Sequence, residues 1–342
     1  MASEAPPFWW QKPDWRAFAL SPVSALYGFV ASRRMAAARR EKVGLPVLCI
    51  GNFTVGGTGK TPVAIALARQ AKRMRLKPGI LSRGHGGSFA EPHIVDPKHD
   101  RAKHVGDEPL LLAEHAPVAV TPNRAAGARL LIEEGCDFLI MDDGFQSARI
   151  HIDYALLVVD SRYGLGNGHV IPGGPMRAPL LDQLRFADAL LKMGTGSGGD
   201  EAVRKAARAG KPVFEAATRP KDGGRLSGKR FLAFAGIGHP EKFFDTVADT
   251  GGVVALTRAF PDHHFYSEDE LQELAATAHA GQLRLVTTAK DAARLRNGGG
   301  ASADVLKRLD VLEIETVFDL DHAPTRIIDE TLATWRQRRN GG

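Results

Sequence analysis

The chain has 342 residues, of which 44% are hydrophobic and 25% are charged, a composition typical of a globular protein with room for two domains. Its two cysteines, Cys49 and Cys136, lie in apolar runs, which excludes a disulfide framework and indicates reduced thiols in the cytosol. The net charge is +6, and residues 1–42 alone carry seven basic and three acidic residues. A second basic cluster lies at 336–339. Positive charge at the chain ends favours nucleic acid or an anionic membrane surface as a partner.

Aromatic residues near the N-terminus help to decide between these partners. Three of the four tryptophans lie in "PPFWWQKPDWRAFAL", after which Ser21 and Pro22 predict the N-cap and the first residue of a helix. An apolar stripe at helical spacing runs from Val23 to Val30 and ends at Arg33. It is too short to span a bilayer, and the charges flank it on the wrong side for a cleavable signal. Tryptophan beside arginine on an amphipathic helix favours a membrane interface over a helix packed only on its own domain.

Apolar runs alternate with helix-like stretches through the middle of the chain and predict a parallel sheet with helices on both faces. Strands such as "DYALLVVD" are apolar throughout, as burial on both faces requires. The linker predicted at 218–229 is rich in glycine and charge, and a second alternation of strands and helices begins at Arg230. The strands predicted before the linker are 46–51, 78–82, 117–121, 137–141, 154–159, 188–193 and 212–216.

The stretch "TVGGTGKT" lies between the apolar run "VLCIGN" and an alanine-rich helix, which is the context of a phosphate-binding loop. Its glycines let backbone N–H groups surround a phosphate, and the helix N-terminus adds its positive dipole end. Lys60 can reach the β- and γ-phosphates, and the Thr61 hydroxyl can bind Mg²⁺. The first residue departs from the general pattern, which has glycine there. The residues predicted to bind the nucleotide are Thr54, Val55, Gly56, Gly57, Thr58, Gly59, Lys60 and Thr61.

A second motif supplies carboxylates for the metal ion. Phosphate-binding loops need a metal-positioning carboxylate at the end of another strand. In "DFLIMDDGFQ" four apolar residues run into Asp142 and Asp143. Asp-Gly pairs also form ordinary turns, but a phosphate-binding loop in the same chain favours the metal role. We predict that Asp142, Asp143 or both bind Mg²⁺.

Seven motifs that occur in order give the chain a specific resemblance: "GNFTVGGTGKTP", "LSRGHGG", "VGDEP", "MDDGFQ", "FAGIGHPEKFF", "FPDHHFY" and "TTAKDAARL". Over roughly residues 15–335 the chain resembles the tetraacyldisaccharide 4′-kinases, which act in lipid A synthesis in Gram-negative bacteria. The form of the phosphate-binding loop that begins at Thr54 is a feature of that family.

The resemblance implies a reaction in which ATP, with Mg²⁺, phosphorylates the 4′-hydroxyl of an acylated glucosamine disaccharide 1-phosphate. It implies an α/β fold with a P-loop NTPase core, a smaller second α/β/α domain and an active site in the cleft between them. We expect an amphipathic membrane-interface helix in 1–42, the kinase core in 43–220, the second domain in 221–320 and a C-terminal helix, 321–342, on the core. The expected protein is a monomer, peripheral on the cytoplasmic face of the bacterial inner membrane.

The resemblance also suggests catalytic residues. Asp107 in "VGDEP" matches the catalytic aspartate of the family, although an aspartate before "EPLLLAEH" is also a good helix N-cap. A carboxylate there can take the proton of a sugar hydroxyl. His263 in "FPDHHFY" is the best candidate for a histidine that tunes the basicity of Asp107. Because His263 belongs to the second domain, it reaches Asp107 only when the domains close. We therefore predict Asp107, His263 and Lys60 as catalytic residues.

Further residues are predicted to bind ligands. Lys290 and Asp291 in "TTAKDAARL" match a family motif on the nucleotide side of the cleft. A guanidinium fits a phosphate bidentately, and three arginines are predicted to bind the substrate: Arg83, Arg124 and Arg177. Each could equally form a surface ion pair. Ala178 stands where the family commonly has glutamate, so a metal or nucleotide role of that side chain is in doubt here.

Three other functions fit parts of the sequence. A kinase or synthetase with a soluble acceptor fits the phosphate-binding loop but leaves the aromatic N-terminus without a purpose. A nucleotide-driven switch also fits the loop and needs no acceptor sugar. A nucleic-acid-binding NTPase fits the isoelectric point of about 9.4, but the chain has no basic groove motif studded with aromatic residues. We therefore predict no nucleic-acid partner.

Overall fold

The computed structural model describes residues 5–57, 59–84, 87, 89, 91–146, 149–221, 223–296 and 301–341. Within these residues thirteen strands form two sheets, one of nine strands and one of four. The strands are β1 (Val47–Asn52), β2 (Pro78–Ser82), β3 (His93–Ile94), β4 (Val118–Val120), β5 (Phe138–Asp142), β6 (Tyr154–Asp160), β7 (Ala189–Met193), β8 (Val213–Pro220), β9 (Arg230–Ala235), β10 (Val253–Ala259), β11 (Arg284–Thr288), β12 (Leu309–Leu312) and β13 (Ile314–Phe318).

Helices cover the faces of both sheets, and two short 3₁₀ helices lie at Pro7–Trp10 and Gly223–Arg225. The α-helices are α1 (Trp15–Ala19), α2 (Ser21–Ala37), α3 (Lys60–Arg73), α4 (Ala102–Val105), α5 (Asp107–Ala113), α6 (Arg124–Glu133), α7 (Leu180–Phe186), α8 (Asp200–Arg208), α9 (Pro240–Asp249), α10 (Glu268–Ala280), α11 (Ala289–Leu295), α12 (Ala301–Lys307) and α13 (Ala323–Asn340).

The large sheet has the order β13-β8-β7-β6-β1-β5-β2-β4-β3. Neighbouring strands are parallel except β13, which is antiparallel to β8, and β3, which is antiparallel to β4. Because parallel strands end at the same edge, the loop after β1 lies beside the end of β5, with Ile50 in register with Asp142. The seven predicted strands are all present, and their ends agree within one residue except at the end of β8. The α/β prediction is confirmed.

Two predicted boundaries were wrong at the edge of this sheet. The predicted linker began at residue 218, but β8 continues to Pro220 because its last residues pair with β13. Strand β13 lies in the segment 221–320 that was predicted as the second domain, yet it belongs to the large sheet. The small sheet ends earlier, with β12 at Leu312. Composition does not show that β13 joins the large sheet after the small sheet has ended, because the partner of a strand depends on the path of the whole chain.

The small sheet is parallel, has the order β10-β9-β11-β12, and is covered on both faces. Alternate residues of β9 point to opposite faces, as the strand period of two requires. Phe231 packs with Phe243 of α9 in one apolar cluster. Phe234 packs with Leu271 of α10 in the other. This arrangement gives the second part of the chain its own three-layered α/β/α core.

The N-terminal helix α2 packs on the large-sheet part through its small residues. Ser24 and Gly28 are buried, and the Oγ of Ser24 accepts from the N–H of Gly173 at 3.0 Å. A Cβ on Gly28 would lie 3.3 Å from the ring of Pro179, so the helix approaches closely there. The predicted N-cap at Ser21 was wrong, because α1 precedes the helix directly and places Leu20 at the cap.

Most large apolar side chains of α1 and α2 are exposed, whereas Met35 near the end of α2 is buried. Trp15, Phe18, Leu26 and Phe29 are between 58% and 76% exposed. Within the part of the chain that the structure describes, no helix is both long and apolar enough to cross a membrane. The N-terminal helices α1 and α2 therefore present an apolar surface to their surroundings.

The C-terminal helix α13 lies against α3 and the centre of the large sheet. Ile327 and Ile328 are fully buried in the same apolar cluster as Leu48 of β1. Near the end of the helix, Arg338 donates to the buried carboxylate of Asp153 at 2.8 Å. One member of the basic cluster noted in the sequence is thus held in an internal ion pair.

Candidate active site

The phosphate-binding loop joins β1 to α3. Gly56 and Gly59 have φ angles of +99° and +83°, where a side chain would strain the backbone. Thr54 is buried and held in an isolated β-bridge, so its position requires no glycine. The N–H of Val55 donates to a main-chain carbonyl at 2.9 Å, which does not fit the predicted contact of this group with phosphate. Thr58, also predicted to bind the nucleotide, lies outside the described residues.

Groups that can receive a ligand surround this loop. An added Cβ on Gly57 would meet no atom within 4 Å, so space is left beside it. Lys60 begins α3, and its Nζ lies 3.9 Å from Oδ2 of Asp143. Thr61 is buried in the same helical turn. Among the described residues, Oδ1 of Asn52 is buried and has no hydrogen-bond partner. The loop thus leaves open space beside Gly57 and places the cation of Lys60 at the helix start, as a phosphate site requires.

The two predicted metal-binding aspartates differ sharply. Asp143 accepts two hydrogen bonds from Arg177, at 2.7 and 3.0 Å. Although burial by itself raises the pKa of Asp143, the charges of Lys60 and Arg177 outweigh it and lower that pKa. Asp142 is buried, and its Oδ1 has no hydrogen-bond partner in the described part of the chain. Burial, followed by the charge of Glu108, raises the pKa of Asp142 to about 7.

The predicted base lies at the start of α5. Gly106 is the N-cap, so Asp107 is the first helical residue, and the alternative role as N-cap was wrong. Its carboxylate is buried: Oδ2 accepts from Nη2 of Arg294, and Oδ1 lies 3.3 Å from Nδ1 of His263. Burial by itself raises the pKa of Asp107. The hydrogen bond from His263 and the charges of Lys290 and Arg294 outweigh this effect and hold the pKa well below its ordinary value.

His263 reaches this carboxylate from the other sheet. It lies in the loop between β10 and α10, and its φ of +59° is uncommon for a residue other than glycine. Its N–H donates to the carbonyl of Gly236 at 3.1 Å. The hydrogen bond with Asp107 is the main cause that raises the pKa of His263. The structure therefore brings the predicted base and the predicted histidine together across the boundary between the two sheets.

The two residues predicted from "TTAKDAARL" lie in α11 and have different surroundings. Lys290 forms an ion pair with Glu108, the residue after Asp107. Asp291 has no exposed surface, and both of its carboxylate oxygens accept hydrogen bonds from neighbouring protein groups. The prediction that Asp291 contacts the nucleotide therefore does not fit this structure, because the carboxylate is enclosed within the small-sheet part.

The three predicted substrate-binding arginines also differ. Arg83 is exposed just after β2. Arg124 is buried and donates to the carbonyls of Thr121 and Asp143, at 2.9 and 3.3 Å. Arg177 pairs with Asp143 and donates to a carbonyl of the phosphate-binding loop. The buried guanidinium of Arg124 does not fit substrate contact, whereas the exposed side chain of Arg83 does.

Sequence reasoning missed two charged residues of the site. Glu108 stands beside Asp107 in "VGDEP", and its charge acts on the pKa of Asp142. Arg294 follows Lys290 by one helical turn, a spacing that could have indicated a shared face of α11. Ala178 is fully buried in the apolar cluster behind the site and places no charge there.

Comparisons with known proteins show which family the chain resembles. The family model described as tetraacyldisaccharide-1-P 4′-kinase matches residues 16–333. A tetraacyldisaccharide 4′-kinase of Mesorhizobium japonicum is 74% identical over 340 residues and is covered to 99%, as is this chain. One of Chelativorans sp. is 56% identical over 337 residues, with 98% of each chain covered.

The fold also matches a solved structure. A crystal structure of LpxK from Aquifex aeolicus in complex with ATP superposes with a TM-score of 0.73 at 25% sequence identity. The match covers 92% of this chain and 99% of that chain. With a family model that spans almost the whole sequence and close full-length relatives, the chain belongs to the tetraacyldisaccharide 4′-kinase family.

Proposed function

We propose that this protein transfers the γ-phosphoryl group of ATP to the 4′-hydroxyl of a tetraacyldisaccharide 1-phosphate, a step of lipid A synthesis. The family and its full-length relatives support this activity. The observation that carries the proposal is the contact between Asp107 and His263, which come from opposite sheets. The charges of Lys290 and, to a smaller extent, of Lys60 at the phosphate-binding loop lower the pKa of Glu108, the residue after Asp107.

The proposed reaction is an in-line displacement at the γ-phosphorus. The 4′-oxygen forms a bond to phosphorus while the bond to the β-γ bridging oxygen breaks and ADP leaves. The proton of the hydroxyl moves to the carboxylate of Asp107, within reach of Nδ1 of His263. His263 has a raised pKa and can hold this proton, because Asp107 stabilises its charged form. Lys60, at the start of α3, contacts the β- and γ-phosphates.

The residues present fit a Mg²⁺ ion beside the phosphates. The buried Oδ1 of Asp142, without a partner among the described residues, and the hydroxyl of Thr61 supply oxygen ligands of the kind Mg²⁺ prefers. Asp143 is engaged by Arg177, so we assign it the role of fixing that arginine. In the described ranges no cluster of three or more acidic, histidine or cysteine side chains could hold a metal. When bound by these residues, Mg²⁺ would neutralise the charge that develops on the phosphates.

The exposed N-terminal surface fits a lipid acceptor. Trp15, Phe18 and Leu26 are 76%, 61% and 66% exposed, and the arginines near the end of α2 are also exposed. Apolar side chains beside arginine bind the interface of an anionic leaflet. We propose that this surface holds the enzyme peripherally on the cytoplasmic face of the inner membrane, where the acylated substrate lies. One chain supplies the residues of the proposed site, which suits a monomer.

The first experiment measures transfer from labelled ATP to the tetraacylated disaccharide 1-phosphate in detergent micelles with Mg²⁺. The expected result is a phosphorylated lipid and little ATP hydrolysis without acceptor. A de-acylated disaccharide 1-phosphate serves as the control. At the same concentration as the acylated lipid, it should be a much poorer substrate. Steady ATP hydrolysis without lipid product would contradict the proposal and favour the nucleotide-driven switch.

A further inference from the structure

The buried guanidinium of Arg294 joins the two halves of the proposed site. The residue lies in the last turn of α11, and its side chain is 1% exposed. Nη2 donates to Oδ2 of Asp107, on the large-sheet side. Nη1 donates to Oδ1 of Asp291 at 2.6 Å and to the carbonyl of Gly236 at 2.7 Å. Acceptors from three separate segments therefore fix the plane of this guanidinium, and the Arg294 side chain has one orientation in the folded protein.

Asp291 fixes the position of the Arg294 side chain by a hydrogen bond. Besides Arg294, its Oδ1 accepts from the hydroxyl of Tyr266 at 2.7 Å and from the N–H of Gly236 at 3.0 Å. Its Oδ2 accepts from Oγ1 of Thr288 at 2.6 Å. A buried carboxylate with this many donors has one stable rotamer, since any other leaves buried groups unpaired. Asp291 thus holds Arg294 in the direction of Asp107.

The carbonyl of Gly236 ties Arg294 to His263. This one oxygen accepts from Nη1 of Arg294 and from the N–H of His263, at 2.7 and 3.1 Å. A Cβ on Gly236 would lie 3.2 Å from Oδ1 of Asp291, so the network closes tightly around this residue. Arg294 and His263 then engage different oxygens of Asp107, Oδ2 and Oδ1 respectively.

We propose that Arg294 is a positioning residue for phosphoryl transfer: it holds Oδ2 of Asp107 so that Oδ1 is presented to His263 and to the acceptor hydroxyl. The inference rests on the proposed function. The network is built from the small-sheet part, so the carboxylate is aligned only when that part contacts α5. Arg294 acts through Asp107 and does not itself touch the reacting atoms.

The charged groups around Asp107 make the proposed role of Arg294 measurable through the pH dependence of the reaction. Arg294 and Lys290 face it from α11, His263 faces it from the loop after β10, and Glu108 follows it in α5. Arg294 is one of the groups that lower the pKa of Asp107. Removing its charge therefore raises the pKa of Asp107. The pH below which the base is protonated then moves upward.

The test compares Arg294→Met and Arg294→Lys with the wild type in the micelle assay. We expect Arg294→Met to lower kcat by about 100-fold, as when a supporting group of a catalytic residue is lost. KM for ATP should stay within about twofold, because the hydrogen bonds of Arg294 go to Asp107, Asp291 and Gly236 rather than to the described residues of the phosphate-binding loop. The acid limb of its kcat/KM profile should lie at higher pH than that of the wild type. Arg294→Lys keeps the positive charge but loses the planar guanidinium that donates from two nitrogens. We therefore expect its kcat to lie between those of Arg294→Met and the wild type.

Arg296→Met is the matched control. Arg296 directly follows α11 and pairs with Glu114, the residue directly after α5, but its side chain is 44% exposed and this ion pair does not involve Asp107. Its loss should leave kcat and the pH profile unchanged. Thermal unfolding and ATP binding are measured for every variant, so that loss of folding is recognised.

Three results would overturn the inference. The first is an Arg294→Met variant that folds and keeps the wild-type kcat. The second is a folded Arg294→Met variant that loses kcat while the acid limb of its pH profile stays where it is in the wild type, which indicates a purely structural role. The third concerns Arg294→Lys. If Arg294→Met does not fold, Arg294→Lys tests the inference instead. A wild-type kcat in Arg294→Lys would show that the guanidinium group is not needed to position Asp107. Failure of the wild type to phosphorylate the lipid would instead contradict the proposed function, so the two failures are distinguishable.

Discussion

Two acidic pairs lie in the candidate site, Asp107–Glu108 at the start of α5 and Asp142–Asp143 at the end of β5. In sequence each is a doublet of carboxylates beside a turn. In the structure three of the four carboxylates form ion pairs with a lysine or an arginine, whereas Asp142 has an oxygen without any hydrogen-bond partner among the described residues. Neighbouring carboxylates thus become suited to different chemistry through their partners.

The partners of the two pairs also come from different places. Lys290 and Arg294, which engage the pair in α5, both belong to α11 beside the small sheet. Arg177, which engages Asp143, lies in the loop before α7 in the large-sheet part. The charge state of the proposed base therefore depends on contact between the two sheets, whereas the proposed metal site is complete within one of them.

The largest effect is expected at the base. Asp107→Ala should lower kcat by about two to four orders of magnitude, the usual range for the loss of a general base, while ATP binding stays nearly intact. Rate measurements in micelles and calorimetric titration with an ATP analogue check this. Asp304→Ala is the control, because that carboxylate is 79% exposed and pairs with Lys307 in α12. Activity close to wild type in Asp107→Ala would exclude the assigned role.

A smaller effect should separate the members of the second pair. Asp142→Asn removes the negative charge of the proposed metal ligand and should lower kcat by about 10- to 100-fold, with a higher Mg²⁺ concentration needed for half-maximal activity. Asp143→Asn loosens Arg177 and should change that Mg²⁺ requirement less. Titration of activity with Mg²⁺ at fixed ATP measures both. A larger shift in Asp143→Asn than in Asp142→Asn would reverse the assignment.

The smallest effect concerns stability and pH. The pKa of His263 is raised in the folded state, chiefly by its hydrogen bond with Asp107. Such a group contributes stability fully below its unfolded pKa of about 6.5, and the contribution is lost as pH rises through the folded pKa. The destabilisation caused by His263→Gln should therefore be larger at pH 6 than at pH 8. Urea unfolding at both pH values measures this difference, with His279→Gln at an exposed position of α10 as control. Equal destabilisation at both pH values would contradict the expected linkage.

Local patterns in the sequence were enough to predict the elements that depend on neighbouring residues. The phosphate-binding loop follows from glycines that permit positive φ between a strand and a helix. The seven central strands follow from apolar runs that burial on both faces demands. Asp107 and His263 were predicted by resemblance to a family, since each alone fits an ordinary turn or helix start.

Tertiary structure alone decided the features that depend on distant residues. Arg294 and Asp107 are 187 positions apart, and no local pattern predicts that they meet. The different surroundings of Asp142 and Asp143, and the return of β13 to the large sheet, have the same origin. The sequence by itself determined which backbone segments form strands, helices and the phosphate-binding loop, because those choices depend on local sterics and burial. Which carboxylate is paired and which is left for a ligand depends on chain segments brought together only by packing, because charge energies depend on distance and burial.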